Sequence, residues 1–171
     1  MSTVLDIINT RSSIRKYTDQ PVPEDICRRL VEAGLKAPTA ANKREIHISV
    51  VGKDHPVQAE IQKDLNPDAK TNFFYDAPVT LYLSADENFR WSALDAGIAV
   101  ENIHLLAADL GLGSVIIGIV DGVLNGEKKA EYAAKLGFPE GYRYEIAIAF
   151  GYPDTTKEPH AIDFDKDVTI L

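Results

Sequence analysis

Three cationic and two hydroxyl side chains lie close together near the start of the chain. The segment from Arg11 to Tyr17 reads Arg-Ser-Ser-Ile-Arg-Lys-Tyr. Guanidinium groups form charge-assisted hydrogen bonds with phosphate oxygens, and serine hydroxyls and backbone N–H groups can bind the remaining oxygens. The segment therefore suits a bound phosphate. Taken alone, a solvated basic turn is the commoner structure for such a cluster of charges.

A glycine-rich segment lies between Gly111 and Gly118. Dinucleotide-binding fingerprints place glycines where a strand leads into a helix, so that a pyrophosphate meets the helix N-terminus. The order here is the reverse, because a helix is predicted to end and a strand to begin. We interpret Gly111 and Gly113 as the end of that helix. This interpretation does not explain Gly118. A glycine within a strand is typical of a close approach between the backbone and a ligand.

The other chemically reactive residue types form no recognised catalytic or metal-binding set. No histidine is spaced from another histidine, a cysteine or a carboxylate in a known metal pattern, so no metal site is expected. Cys27 and His104 are interpreted as packed residues of helices. Since the sequence has no P-loop and no Gly-x-Ser-x-Gly elbow, we expect any catalysis to come from a bound cofactor.

Length and composition predict one globular domain over residues 1–171. Eighteen basic and twenty-six acidic side chains give a net charge of −8, which disfavours nucleic acid and anionic membranes as partners. Acidic residues within the longest apolar stretch argue against a membrane span. A single cysteine and the absence of a secretory signal pattern at the N-terminus indicate a cytoplasmic protein.

Hydrophobic periodicity predicts four strands that alternate with helices after two initial helices. The helices are predicted over residues 3–10, 23–34, 54–65, 87–110 and 126–136, and the strands over 46–51, 79–84, 114–120 and 142–150. Alternation in the last strand predicts one shared face for Tyr142, Tyr144, Ile146, Ile148 and Phe150. The apolar end of the chain, Val168 to Leu171, requires a sheet edge or a partner to cover it.

Four segments, taken in this order, resemble the nitroreductase family of FMN-dependent oxidoreductases. They are Arg11 to Tyr17, Ala33 to Asn42, Asp95 to Gly118, and Gly151-Tyr152-Pro153. The resemblance covers nearly the whole chain. It implies an α+β fold with three α/β/α layers, in which helices flank a central, mostly antiparallel sheet. It also implies a homodimer with FMN at the subunit interface, and a C-terminal tail, about residues 152–171, that contacts the partner subunit.

The resemblance further implies which residues contact the cofactor. Contacts to the phosphate and ribityl chain would come from Arg11, Ser12, Ser13 and Arg15. Contacts to the isoalloxazine ring from the other subunit would come from Pro38, Thr39, Ala40 and Asn42. The segment passing the flavin would be Ile116, Ile117 and Gly118, with a backbone N–H near Gly118 directed at N5. Further contacts would come from Asn72 to the pyrimidine and from Lys157 and His160 to the phosphate.

Two departures from the family pattern bear on these contacts. Lys43-Arg44-Glu45 stands after Asn42 where family members commonly have a Gln-Pro-Trp-like stretch, so the contacts of that glutamine and tryptophan are absent. His160 stands where arginine is usual. An unperturbed histidine is mostly neutral at pH 7, but a neighbouring phosphate should raise its pKa.

The activity implied by the resemblance is hydride transfer from NADH or NADPH to FMN. Reduced FMN would then pass the hydride to a nitroaromatic, a quinone or a similar electron-poor small molecule, with ping-pong kinetics. No side-chain acid or base is needed for this chemistry. Two alternatives stay open: other redox chemistry on the same scaffold, such as dehalogenation, enoyl or azo reduction or flavin breakdown, and flavin binding without turnover.

Overall fold

A four-stranded sheet lies at the centre of the structure, a computed structural model that describes residues 3–159 and 161–171. The strands are β1 (His47–Gly52), β2 (Val79–Asp86), β3 (Gly113–Ile117) and β4 (Tyr142–Gly151). Their order in the sheet is β1-β2-β4-β3, and each neighbouring pair is antiparallel. The predicted antiparallel sheet is confirmed.

Helices cover both faces of this sheet. They are α1 (Val4–Thr10), α2 (Glu24–Leu35), α3 (Pro56–Leu65), α4 (Ser92–Asp109), α5 (Asp121–Leu124), α6 (Lys129–Leu136) and α7 (Phe164–Asp167), with a 3-10 turn at Ala40–Asn42. Both α4 and α6 begin a few residues later than the sequence predicts. In the part of the chain that the structure describes, none of these helices has the length and apolar character to cross a bilayer.

Two clusters of buried side chains form the core, one on each face of the sheet. On one face, side chains of α3, α5 and α6 pack on Tyr82, Val115 and Ala147. On the other face, α2 and α4 pack on Leu81 and Ile148. This arrangement is the predicted three-layer α+β fold. The long helix α4 supplies the largest share of the second cluster and packs against β2, β3 and β4, so it can connect distant parts of a site.

A β-bulge in β4 makes one sequence prediction wrong. Leu83 pairs with Ile146, but the next residue of β2, Ser84, pairs with Tyr144. Glu145 is therefore an extra residue, and the alternation of side chains reverses there. Tyr144 packs in the cluster of α3 and α6, whereas Ile146 packs with α2 and α4. Tyr144 thus does not share a face with Ile146, Ile148 and Phe150.

The strand predicted over residues 114–120 ends at Ile117. The carbonyl of Gly118 accepts a hydrogen bond from the N–H of Asp121 at 3.1 Å, and this turn leads directly into α5. A helix of four residues is too short to produce a helical period in the sequence, so it was not predicted.

Candidate functional site

The basic segment that follows α1 runs in extended form beside β3. The N–H of Ile14 donates to the carbonyl of Ser114 at 2.9 Å, and Ser13 forms a parallel bridge with Ser114. The side chain of Ile14 is buried against Gly113, where an added Cβ would lie 2.7 Å from it. Gly113 is therefore required for close packing, and its position anchors the whole basic segment against the sheet.

A cavity of about 280 Å³ opens beside this anchor. Its wall includes Arg11 and Ser12 from the basic segment and Lys157 from the region after β4, together with Thr155 and Thr156. Two cationic side chains and several hydroxyl groups at one cavity suit an anion such as a phosphate. The structure therefore brings together three of the residues assigned to the phosphate. His160 was assigned to the same role, but it lies outside the described residues.

Arg11 is held at the cavity by its surroundings. Its side chain is 20% exposed, and its Nε lies 3.8 Å from Oε1 of Glu101 on α4. Glu101 is half exposed, so this ion pair is screened by water and contributes little to the stability of the protein. The guanidinium group consequently keeps donors available for another anion.

Arg15 and Asn72 lie apart from the cavity. The guanidinium of Arg15 is exposed and lies 5.8 Å from the ring centroid of Tyr75. The side chain of Asn72 is engaged in its own turn, since its Nδ2 donates to Asp76 at 2.7 Å and its Oδ1 accepts from the N–H of Phe74 at 2.8 Å. Tyr75 therefore brings Arg15 near the segment that carries Asn72, but the amide of Asn72 has local partners.

The loop that contains Pro38 to Asn42 is attached to the first turn of α4. The N–H of Ala40 donates to Oδ2 of Asp95 at 2.9 Å, and Thr39 Oγ1 accepts from the N–H of Arg44 at 2.9 Å. The side chain of Asn42 accepts from Arg44 Nε at 3.1 Å. Sequence reasoning missed Asp95 as the anchor of this loop, and a buried acidic residue in the first turn of an apolar helix was the available signal.

The segment Ile116 to Gly118 presents an apolar surface at the end of β3. Ile116 is 38% exposed, whereas Ile117 is buried and its carbonyl accepts from the hydroxyl of Tyr144 at 2.5 Å. A Cβ added to Gly118 would lie 3.7 Å from Ile146, which is an ordinary contact. Packing within the described part of the chain therefore does not require glycine at position 118, and the open side of this residue is available to a ligand.

The two groups of predicted contacts lie at opposite ends of α4. Asp95, which binds the Thr39–Asn42 loop, and Ala108, which lines the Arg11 cavity, are separated by thirteen residues. At 1.5 Å per residue this distance is about 20 Å along the helix. The two groups therefore form separate surfaces in the single chain.

The sequence profile of the nitroreductase family matches residues 8–152. This chain belongs to the nitroreductase family. The matched range contains the basic segment, the loop on α4, the end of β3 and Gly151-Tyr152, so it covers every sequence-predicted contact except Lys157 and His160.

Individual relatives within the nitroreductase family cover almost the whole chain. A protein of Methanothermobacter thermautotrophicus that is named as an NADH dehydrogenase/NAD(P)H nitroreductase is 33% identical over an alignment of 180 positions, which covers 96% of this chain and 84% of that protein. An FMN-dependent nitroreductase of Clostridium difficile is 29% identical with a TM-score of 0.88, and each chain is covered to 99%. The crystal structure of a nitroreductase with bound FMN from Desulfitobacterium hafniense is 25% identical with a TM-score of 0.87, and both chains are covered completely.

One feature of this nitroreductase-family chain is a buried imidazole in the wall of the Arg11 cavity. His104 is 2% exposed, and neither ring nitrogen has a hydrogen-bond partner among the described residues. Burial, and then the charge of Arg11, lower the pKa of His104 to about 4, while backbone groups of Ser12 and Ser114 act in the opposite direction. His104 is therefore neutral at pH 7 and adds no positive charge to the cavity at that pH.

Proposed function

We propose that this protein is an FMN-dependent NAD(P)H oxidoreductase that acts as a homodimer. The main observation in support of this proposal is that two different surfaces lie at the two ends of α4. One is the cationic cavity at Arg11, and the other is the loop that is anchored by Asp95. Support also comes from relatives that are named NAD(P)H nitroreductase or FMN-dependent nitroreductase, and from a structural neighbour that holds FMN.

The residues at the cationic end fit the phosphate of FMN. A phosphate monoester carries about −1.5 to −2 charges at pH 7 and three acceptor oxygens. Arg11, Ser12 and Lys157 line the cavity and supply cationic and hydroxyl donors for it. Ser13 and Arg15, in the same extended segment, are the proposed contacts of the ribityl side. Positive charge held here also favours binding of an anionic, reduced cofactor.

The residues proposed for the ring side of the cofactor fit a flat aromatic ring system. Ile116 offers exposed apolar surface, and Gly118 leaves room beside its backbone N–H. We assign that N–H to N5 of the flavin, and we assign Thr39, Ala40 and Asn42 to contacts from the partner subunit. When bound, FMN supplies the hydride-transfer chemistry, and the protein supplies orientation and an oriented backbone dipole. Neither role requires a side-chain acid or base.

The proposed acceptors are nitroaromatics, quinones and other electron-poor small molecules. With one face of the flavin against Ile116 and Gly118, the nicotinamide donor and the acceptor would use the opposite, exposed face of the flavin in turn. This arrangement predicts ping-pong kinetics, with parallel lines in double-reciprocal plots. Intersecting lines would contradict the shared face.

A second copy of the chain would also cover the exposed apolar side chains. On α1, Val4 is 70% exposed and Leu5 is 64% exposed, and on α4 Leu94 is 55% exposed. The tail after Pro153 adds Phe164, Val168, Ile170 and Leu171, all of them exposed. Apolar surface of this extent is typical of an interface. We propose that the tail, about residues 152–171, contacts the partner subunit.

The absorbance spectrum of the purified protein is the first test. Bands of oxidised flavin are expected, and anaerobic NADH or NADPH should bleach them much faster than they bleach free FMN. Protein that binds no flavin after incubation with FMN would overturn the proposal. Bound flavin that bleaches no faster than free FMN would instead indicate binding without turnover, and rapid bleaching without reoxidation by nitroaromatics or quinones would indicate a different acceptor.

A further inference from the structure

Two buried carboxyl groups, those of Glu45 and Asp95, interact with each other next to the Thr39–Asn42 loop. Glu45 is 3% exposed and Asp95 is 2% exposed. Asp95 accepts the N–H of Ala40 through Oδ2. By contrast, neither carboxylate oxygen of Glu45 has a hydrogen-bond donor within residues 3–159 and 161–171. A buried carboxylate without donors is costly, so the Glu45 side chain is unstable in its ionised form at this position.

A proton on Glu45 removes this cost. Burial raises the pKa of Glu45, and the adjacent carboxyl of Asp95 raises it further, both as a hydrogen-bond partner and as a like charge. The backbone N–H of Glu45 and the charge of Lys43 act in the opposite direction. The ammonium of Lys43, however, is paired with Asp86 at 2.6 Å, and Asp95 and Lys43 are the charged groups that act on Glu45.

Asp95 is the natural acceptor for this proton. It lies in the first turn of α4 and already accepts the N–H of Ala40. A protonated Glu45 can donate its O–H to the Asp95 carboxylate, which forms a strong, charge-assisted hydrogen bond. Asp95 then holds the loop at two points, through the N–H of Ala40 and through the side chain of Glu45.

The backbone between Ala40 and Glu45 has an unfavourable conformation that these two contacts hold in place. Ala41, Asn42 and Arg44 have φ values of 54°, 53° and 54°, in the left-handed region that residues with a Cβ seldom adopt. Each such residue costs roughly 1 kcal/mol and persists only where the surroundings hold it. The loop that contains these residues also contains the proposed flavin contacts Thr39, Ala40 and Asn42.

We infer that Glu45 and Asp95 share one proton, and that protonated Glu45 is a positioning residue that holds the loop from Thr39 to Arg44 in its binding shape. Because the raised pKa favours the protonated form in the folded protein, the stabilisation is complete at low pH and is lost as pH rises through the folded-state pKa. The part of this inference that concerns flavin affinity rests on the proposed function, whereas the shared proton does not.

The shared proton is tested first, without reference to flavin. The carboxyl carbons of glutamate are labelled with 13C, and their NMR shifts are followed from pH 3 to pH 9 in wild type, Glu45→Gln and, as a matched control, Glu140→Gln at an exposed position. We expect one glutamate to titrate above the usual value of about 4.3. This signal should be missing from Glu45→Gln and present in Glu140→Gln. Ordinary titration of every glutamate would overturn the inference.

The positioning role is tested by hydrogen exchange at the Ala40 amide. Glu45→Gln keeps a neutral donor for Asp95, so the protection factor of the Ala40 amide should match that of wild type below the Glu45 titration and should lack the decrease that wild type shows above it. Glu45→Ala removes the donor, and exchange should become about tenfold faster or more. If Glu45→Ala does not fold, the pH dependence of Ala40 protection in wild type and Glu45→Gln still tests the positioning role. Identical pH dependence in these two proteins would contradict the positioning role.

Flavin affinity provides the last measurement. FMN binding to wild type should weaken as pH rises through the titration found by NMR, and in Glu45→Gln this pH dependence should disappear. A protein that shows the shared proton but binds no FMN would refute the proposed function and leave the carboxyl pair intact. A protein that binds FMN with the same pH profile in both forms would refute the link between Glu45 and the loop.

Discussion

Arg11 lines the candidate phosphate cavity with only 20% of its side chain exposed. Replacing it with alanine removes a charge-assisted contact to phosphate, which is worth about 1.5–3 kcal/mol, so FMN should bind roughly 10–100-fold more weakly. The fold should be retained, because Glu101, the ion-pair partner of Arg11, is half exposed and stays solvated. Equilibrium titration with FMN measures the change. Arg29→Ala, on the exposed side of α2, is the control, and equal affinities in the two variants would exclude Arg11 from the site.

His104 makes the stability of the protein sensitive to acid. Its pKa of about 4 in the folded protein lies below the usual 6.5, so the unfolded chain binds the proton more readily. The stabilising contribution is complete above about pH 6.5 and is lost as pH falls towards 4, by at most about 3 kcal/mol. In urea unfolding from pH 7 to pH 4, His104→Leu should therefore lose less stability than wild type. His55→Asn, which can keep the cap of α3, should behave like wild type; a parallel decline in all three proteins would contradict this.

The bulge in β4 places Tyr144 where its hydroxyl fixes the end of β3. The hydroxyl donates to the carbonyl of Ile117 at 2.5 Å, next to Gly118. Tyr144→Phe leaves this buried carbonyl without its donor and should reduce the free energy of unfolding by about 1–3 kcal/mol. Tyr82 offers a matched control, since its ring lies 6.4 Å from that of Tyr144 and its buried hydroxyl has no partner among the described residues. Tyr82→Phe should be neutral or stabilising. Equal losses in both variants would show that the hydrogen bond to Ile117 is unimportant.

The same bulge shows which features of the fold the sequence could predict. Periodicity located all four strands and the helices α1 to α4 and α6, because each presents a sustained apolar face. It could not detect the bulge at Glu145, since an inserted residue is recognisable only against the partner strand β2. Gly113 was interpreted as part of the end of α4, whereas the structure places it as the first residue of β3. Its packing reason, the side chain of Ile14, comes from a distant part of the chain.

The candidate site was predictable only where its residues form local motifs. The segment Arg11 to Arg15 and Gly118 were found from composition and spacing. Asp95 and Glu45 were not, because they are fifty residues apart in the sequence and their relation depends on how the loop packs on α4. The departure at Lys43-Arg44-Glu45 appeared in the sequence as a loss of family contacts. In the structure, Arg44 binds Asn42 and Glu45 is buried against Asp95, so these residues form a different support for the same loop.

In the proposed dimer, the two separated surfaces become parts of one site. About 20 Å of α4 lies between the Arg11 cavity and the Asp95 anchor, so the loop that completes one flavin site would come from the partner.

The tail should strengthen this assembly, because Ile170 is 93% exposed in the single chain. Ile170→Asp should therefore weaken the dimer at least tenfold, since it removes apolar burial and brings a charge into the interface. Sedimentation at several protein concentrations measures the fraction of dimer, and the flavin content should decrease as that fraction decreases.

Thr169→Asp is the control. It places the same charge on the neighbouring residue, whose side chain points the other way in an extended tail, and it should leave the dimer intact. A dimer that is unaffected by Ile170→Asp would show that the tail is not part of the interface, whereas equal weakening by both variants would assign the effect to charge alone.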